Sequence, residues 1–75
     1  MSPARRYDAR KVRRALRTVG VEFVRAGKGS HEIYRTPSGQ PISLPLGHPS
    51  GIAEGTLRST LEKAGIRWDT FKKEL

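Results

Sequence analysis

At Gly20 the spacing of apolar residues changes from helical to alternating, and that switch divides the chain into a helix followed by strands. Upstream, Val12, Ala15, Leu16 and Val19 recur at helical spacing, with Asp8 reading as the N-cap and Gly20 as the C-terminal stop. At about 100° per residue these four and Ala9 share one arc, while Arg10, Lys11, Arg13, Arg14 and Arg17 take the other. The first helix is therefore half core and half cation.

Downstream of Gly20 the period is two. Val21 to Arg25 reads as a first strand and His31 to Arg35 as a second, joined by a turn over Gly27 to Ser30. Thr36-Pro37-Ser38-Gly39 is a turn, and Pro41 to Pro45 a short third strand whose prolines predict an edge position. A Gly- and Pro-rich loop, Leu46 to Gly51, leads to a second helix near Ala53 to Ala64, with Leu57 and Leu61 on its inner face and Gly65 ending it. Trp68 to Leu75 reads as a short terminal helix capped by Asp69 or as a frayed tail. The expected fold is α+β in the order α-β-β-β-α, a three-stranded antiparallel sheet with both helices on one face. That order is the one found in double-stranded-RNA-binding domains, which read the A-form backbone by shape and phosphate contacts. Fold alone does not assign function, so at this point the likeness is an analogy.

Size and charge restrict the function. Residues 1–75 are expected to make one domain, with too little interior for a deep cofactor pocket, so an active site must lie near the surface. There is no cysteine, hence no disulfide and no thiolate nucleophile or metal ligand, which fits a cytoplasmic protein. No apolar run has the roughly 20 residues needed to span a bilayer, and Met1 to Arg6 lacks the apolar stretch of a signal peptide, so a soluble, unprocessed chain is expected. The net charge is +8, and residues 1–28 carry nine basic groups against Asp8 and Glu22, leaving only +1 for the remaining 47. Seven of those nine are arginine, the fork-shaped phosphate binder, which favours a polyanionic partner over a merely solvated face. A membrane surface is the weaker candidate, because the apolar stripe of the first helix is narrow and has no Trp or Phe anchor.

Residues 27–31, Gly-Lys-Gly-Ser-His, put a histidine on an exposed, cation-lined corner. RNA carries its own nucleophile, the 2′-hydroxyl. A cleaving enzyme must remove that proton, protonate the leaving 5′ oxygen and stabilise charge on the phosphorane, and no metal or other cofactor is required in principle. Histidine, with an ordinary pKa of about 6.5, can serve as base or acid. His31 is the candidate for one of these roles. Arg25 and Lys28 can hold phosphate, and the amides of Lys28, Gly29 and Ser30 can form an anion-binding nest. RNA contacts are expected from Arg10, Arg13, Arg14, Arg17, Arg25, Lys28, Gly29 and Ser30. The second proton-transfer group is open, with His48, a lysine or water as candidates.

The chain also resembles the HicA (YcfA-like) toxins of bacterial and archaeal toxin–antitoxin pairs. The carrying residues are Val24-Arg25 leading into Lys28-Gly29-Ser30-His31, then Pro37-Ser38-Gly39, Leu44-Pro45, Gly55-Thr56-Leu57-Arg58-Ser59 and Ala64-Gly65-Ile66. These cover nearly the whole chain in order. The resemblance implies a small dsRNA-binding-domain-like endoribonuclease that cleaves mRNA and is neutralised by a HicB antitoxin, with the catalytic histidine at His31. The family often has a histidine close to the third-strand proline, whereas here Leu46 and Gly47 precede His48, which leaves the role of His48 open.

Each of these residues has a plainer reading. His31 taken alone is a turn residue, and Gly27 and Gly29 are explained by a hairpin that needs positive φ. His48 between Gly47 and Pro49 reads as a loop residue, and two histidines without cysteine or clustered carboxylates leave a zinc tetrahedron unfilled. Ser30 has no carboxylate–histidine relay in the sequence to activate it as a nucleophile. Trp68, Phe71 and Tyr34 read as core filling, Tyr34 on the side of the sheet opposite Ile33. A non-catalytic RNA-binding module or inactive relative shares the charge and fold, and a DNA-binding regulator is disfavoured because no helix-turn-helix pattern is present. A free basic ribonuclease would harm its own cell, so the expected state is a monomer when free and a hetero-oligomer with an acidic antitoxin.

Overall fold

The computed structural model describes residues 5–75. The elements run β1 (Arg6–Tyr7), α1 (Ala9–Thr18), β2 (Glu22–Ala26), β3 (Glu32–Arg35), β4 (Pro41–Leu44), β5 (Ile52–Ala53), α2 (Glu54–Lys63) and α3 (Trp68–Lys72). Among the described residues no helix is long and apolar enough to cross a membrane. The reading of Met1 to Arg6 as lacking an apolar leader falls mostly on residues 1–4, which lie outside the described residues.

Both long helices end as the sequence predicts. The Asp8 carboxylate accepts the Arg10 amide at 3.1 Å, satisfying one of the free donors at the start of α1. At its other end the Gly20 amide donates to Arg17 O and the Val21 amide to Leu16 O, the paired bonds of a Schellman motif. The same pair closes α2, from Gly65 to Glu62 and from Ile66 to Leu61.

β2, β3 and β4 form an antiparallel meander with β3 in the middle. Pro41 opens β4, and β4 lies on an edge as its prolines predict. Tyr34 pairs with Ile42, and Leu44 lies two residues further on the same face; all three are buried. They share one core with Val12, Ala15 and Leu16 of α1, Leu57 and Leu61 of α2, and Trp68 and Phe71 of α3. Side chains alternate along a strand, so Ile33 and its partner Ser43 face away from that core. The molecule is thus a small α+β domain with one sheet face turned inward.

Four expectations are corrected. The order contains more than α-β-β-β-α: β1 and β5 pair as a two-stranded ribbon, Arg6 with Ala53 and Tyr7 with Ile52. Two-residue strands carry no readable period, and Gly51 is what lets them meet. Its φ is +76°, and a Cβ there would run into the Tyr7 carbonyl. The terminal segment is a helix, but its N-cap is Arg67 with no side-chain bond, and Asp69 lies inside the first turn. The strands are offset by a residue: β2 starts at Glu22 and β3 at Glu32, leaving His31 in the turn just before the strand. Gly27 does not have positive φ, so its place in the hairpin has another cause, given below.

Candidate functional site

The β2–β3 hairpin builds the corner. Ala26 pairs with Glu32, the Gly27 amide donates to His31 O at 2.8 Å, and the His31 amide donates to Lys28 O at 3.1 Å. Lys28 to His31 is therefore a β-turn, with Gly29 at its first central position and φ of +59°. Ser30 follows with negative φ, the signature of a type II′ turn, which matches the strand twist. Gly27 serves the site by its missing side chain: a Cβ there would stand 3.3 Å from both His31 Cβ and Ile33 Cδ1. The absence of that atom makes room for the imidazole.

His31 is exposed, and its Nδ1 lies 3.0 Å from Ser43 Oγ on β4. A serine hydroxyl can donate or accept, so this bond holds the ring in either tautomer and leaves Nε2 turned to other partners. The amides of Lys28, Gly29 and Ser30 donate to no protein group among the described residues. Ser30 O, in contrast, accepts the Gly47 amide at 2.8 Å, and a Cβ on Gly47 would stand 3.0 Å from that oxygen. The loop after β4 thus clamps the turn from behind. His48 belongs to that loop: its Nδ1 accepts the Ser50 amide at 3.1 Å. His48, Ser30, Arg6 and Thr56 line one side cavity of about 190 Å³.

The cations expected to meet RNA fall into two groups. Arg10, Arg14 and Arg17 are exposed along α1, within one arc at about 100° per residue. Arg25, Lys28, Gly29 and Ser30 lie at the hairpin end, where Arg25 makes only a long bond to Ala26 O at 3.4 Å. Arg13 differs from all of these. Its Nε and Nη2 meet the two Glu32 oxygens at 3.1 and 2.6 Å, and Nη2 also reaches Leu46 O at 3.4 Å.

Glu32 also accepts the Tyr34 hydroxyl at 2.7 Å. The Arg13 hydrogen bonds hold the Glu32 carboxyl below its ordinary pKa, and the same bonds raise the guanidinium further. Burial, followed by the bond to Glu32, pushes the Tyr34 phenol up to about 12. This trio fastens α1 to the sheet immediately behind His31. No group of three or more metal-ligating side chains is present among the described residues.

Sequence reasoning missed Ser43. The alternation of β4 already put it on the face away from Ile42 and Leu44, but its pairing with Ile33 beside His31 depends on register. Phe23 was also missed as a surface feature. It is 58% exposed, its ring makes an edge contact with Tyr34 at 5.5 Å, and it walls a cleft of about 650 Å³ with Arg13, Arg17, Glu22 and Glu32.

No curated protein matches the chain. The family model for the HicA toxin of bacterial toxin–antitoxin systems matches residues 9–66, a span that begins with α1 and ends just past the Schellman turn of α2. It contains the hairpin, His31, Ser43 and the loop that clamps the turn, and the chain belongs to the HicA toxin family.

Proposed function

We propose that this toxin is an endoribonuclease that cleaves mRNA without a metal ion, with His31 as general acid or base. The observation that carries this reading is the exposed imidazole fixed through Nδ1 by Ser43, beside three amides that have no protein partner among the described residues. Nε2 is the atom that transfers the proton. As a neutral imidazole with Nδ1–H donated to Ser43 it is the base that takes the 2′-hydroxyl proton; as an imidazolium, with Nδ1–H still donated to Ser43, it is the acid whose Nε2 proton goes to the leaving 5′ oxygen. In either case the 2′ oxygen bonds to phosphorus and the P–O5′ bond breaks, giving a 2′,3′-cyclic phosphate and a 5′-hydroxyl. Lys28 and the amides of Lys28 to Ser30 hold the charge that builds on the phosphorane.

The second proton-transfer group is His48, a lysine or water; the Ser50 amide donates to His48 Nδ1 and leaves Nε2 as the ring atom it could use. Exposed Arg10, Arg14 and Arg17 lead the RNA backbone along α1, as in the double-stranded-RNA-binding domains to which we liken the fold. Arg13 acts through Glu32, holding the helix to the sheet. Family membership implies a cognate antitoxin, and we assign it the acidic, HicB-like character that complements a charge of +8. The test is product analysis: wild-type protein should leave 2′,3′-cyclic phosphate ends, and His31→Ala should leave none while binding RNA with nearly unchanged affinity. Wild-type rates in that variant would end the assignment.

A further inference from the structure

Among the described residues β2 is an edge strand with nothing paired on its outer side: the sheet order is β2-β3-β4, and all five β2 residues are exposed. A strand bonded on one side presents the amides and carbonyls of alternate residues to solvent as a template for another chain. Among the described residues, the only large apolar side chains left exposed are Phe23 and Val24, at 58% and 42%, and both lie on this strand. Beside it runs the 650 Å³ cleft walled by Phe23, Val21 and Tyr34 together with Arg17. An open edge, an apolar pair and a cleft at the same place are the parts of a strand-addition site, where main-chain bonds give affinity and a pocket takes a side chain.

The charge selects the occupant. Arg17 on the cleft wall, Arg25 on the strand and Lys28 just beyond it outweigh Glu22, and the chain as a whole carries +8. A second copy would bring the same +8 to the interface. The register shift at Val24, a β-bulge that twists the edge, also opposes flat pairing with an identical rigid edge. A flexible acidic strand follows such a twist and matches the charge.

We infer that the outer edge of β2 takes an extended acidic segment of the antitoxin as a fourth strand, one of whose apolar side chains enters the cleft beside Phe23. The segment pairs with β2, and its carboxylates meet Arg17, Arg25 and Lys28. The inference rests on the family assignment alone, so a chain that cleaved no RNA would still take its partner here.

The experiment compares amide hydrogen exchange in the free chain and in the complex co-purified with its antitoxin, together with the complex affinity of Phe23→Lys. This variant keeps the favourable charge and removes the apolar anchor. Exchange at outward-facing β2 amides should slow in the complex, Phe23→Lys should weaken the complex by about tenfold or more, and its RNA cleavage without antitoxin should equal that of the parent. Val24→Lys is the second variant, decisive if Phe23→Lys fails to fold. Unchanged β2 exchange in the complex, or a variant complex as tight as the parent, overturns the inference. So does protection of β2 in the free chain at high concentration, which would assign the edge to a second copy, or by RNA alone, which would assign it to nucleic acid.

Discussion

His31 and Glu32 are neighbours in the chain, yet alternation sends them to opposite surroundings. Glu32 points towards α1, where Arg13 and Tyr34 together engage both its oxygens. His31 points outward, where Ser43 holds one ring nitrogen and the neighbouring turn amides have no protein partner among the described residues. A polar group whose partners are all internal contributes to holding the structure; one with capacity to spare is available to a ligand. The contrast divides the basic chain into residues that build the corner and residues left available to a ligand there.

The sharpest way to break that division is to truncate each side. His31→Ala should lower cleavage by about 10²- to 10⁴-fold, the usual contribution of a positioned acid or base, with no measurable change in melting temperature. A large loss of stability in this variant would show that the imidazole holds the hairpin and would erase the contrast. Glu32→Gln should do the reverse. It removes the charge that Arg13 faces, and because the Arg13 side chain is 39% exposed the cost is about 1–3 kcal/mol, below that of breaking a fully buried pair. Calorimetry should show the loss as a fall of several degrees in melting temperature, while cleavage per folded molecule stays within a few-fold of the parent.

The same trio gives a pH signature. Glu32 titrates below its unfolded value, so its contribution is present above that value and disappears as pH falls through the folded pKa, in the acid region below about 4.5. Tyr34 is raised from 10.0 to about 12, so its contribution is complete below pH 10 and is lost as pH rises from 10 towards 12. Chemical denaturation across pH should show both flanks. Glu32→Gln should flatten the acid flank, and Tyr34→Phe, which keeps the buried ring, should flatten the alkaline one. Persistence of both flanks in the two variants would mean that other groups carry the pH dependence.

How much of this was legible in the sequence follows from distance along the chain. The Asp8 cap and the stops at Gly20 and Gly65 were readable because their bonds close within a few residues. The meander was readable because Gly29 and the Thr36 to Gly39 turn join strands that are sequence neighbours. The β1–β5 ribbon was not, since two-residue strands leave no period and the partners, Arg6 with Ala53 and Tyr7 with Ile52, are far apart in the sequence. Cation spacing on α1 showed that Arg13 belongs to a basic face, but not that a carboxylate waits opposite it on β3. Alternation marked β2 as a strand, but not that the bulge at Val24 and its edge position would leave Phe23 and Val24 exposed. The turn that carries His31 was legible locally, whereas Ser43, whose hydroxyl meets its ring, comes from a strand whose register no local pattern fixes.

Ser43 is where the smallest effect discriminates most. Its side chain is exposed and, among the described residues, its one side-chain bond is to the imidazole, so Ser43→Ala should leave stability unchanged. What it loses is orientation: without the hydroxyl, the ring turns about its side-chain bonds and Nε2 faces the phosphate for only part of the time. A hydrogen bond of about 1 kcal/mol corresponds to a rate loss of roughly fivefold. Ser43→Thr keeps the hydroxyl and should recover most of that loss. The loss should appear in kcat more than in KM, because in the proposed mechanism Ser43 orients the reacting group and does not hold RNA. A fivefold loss confined to KM would make Ser43 part of the RNA surface. An unchanged kcat would show that the turn alone, through Gly27 and Gly29, sets the position of His31.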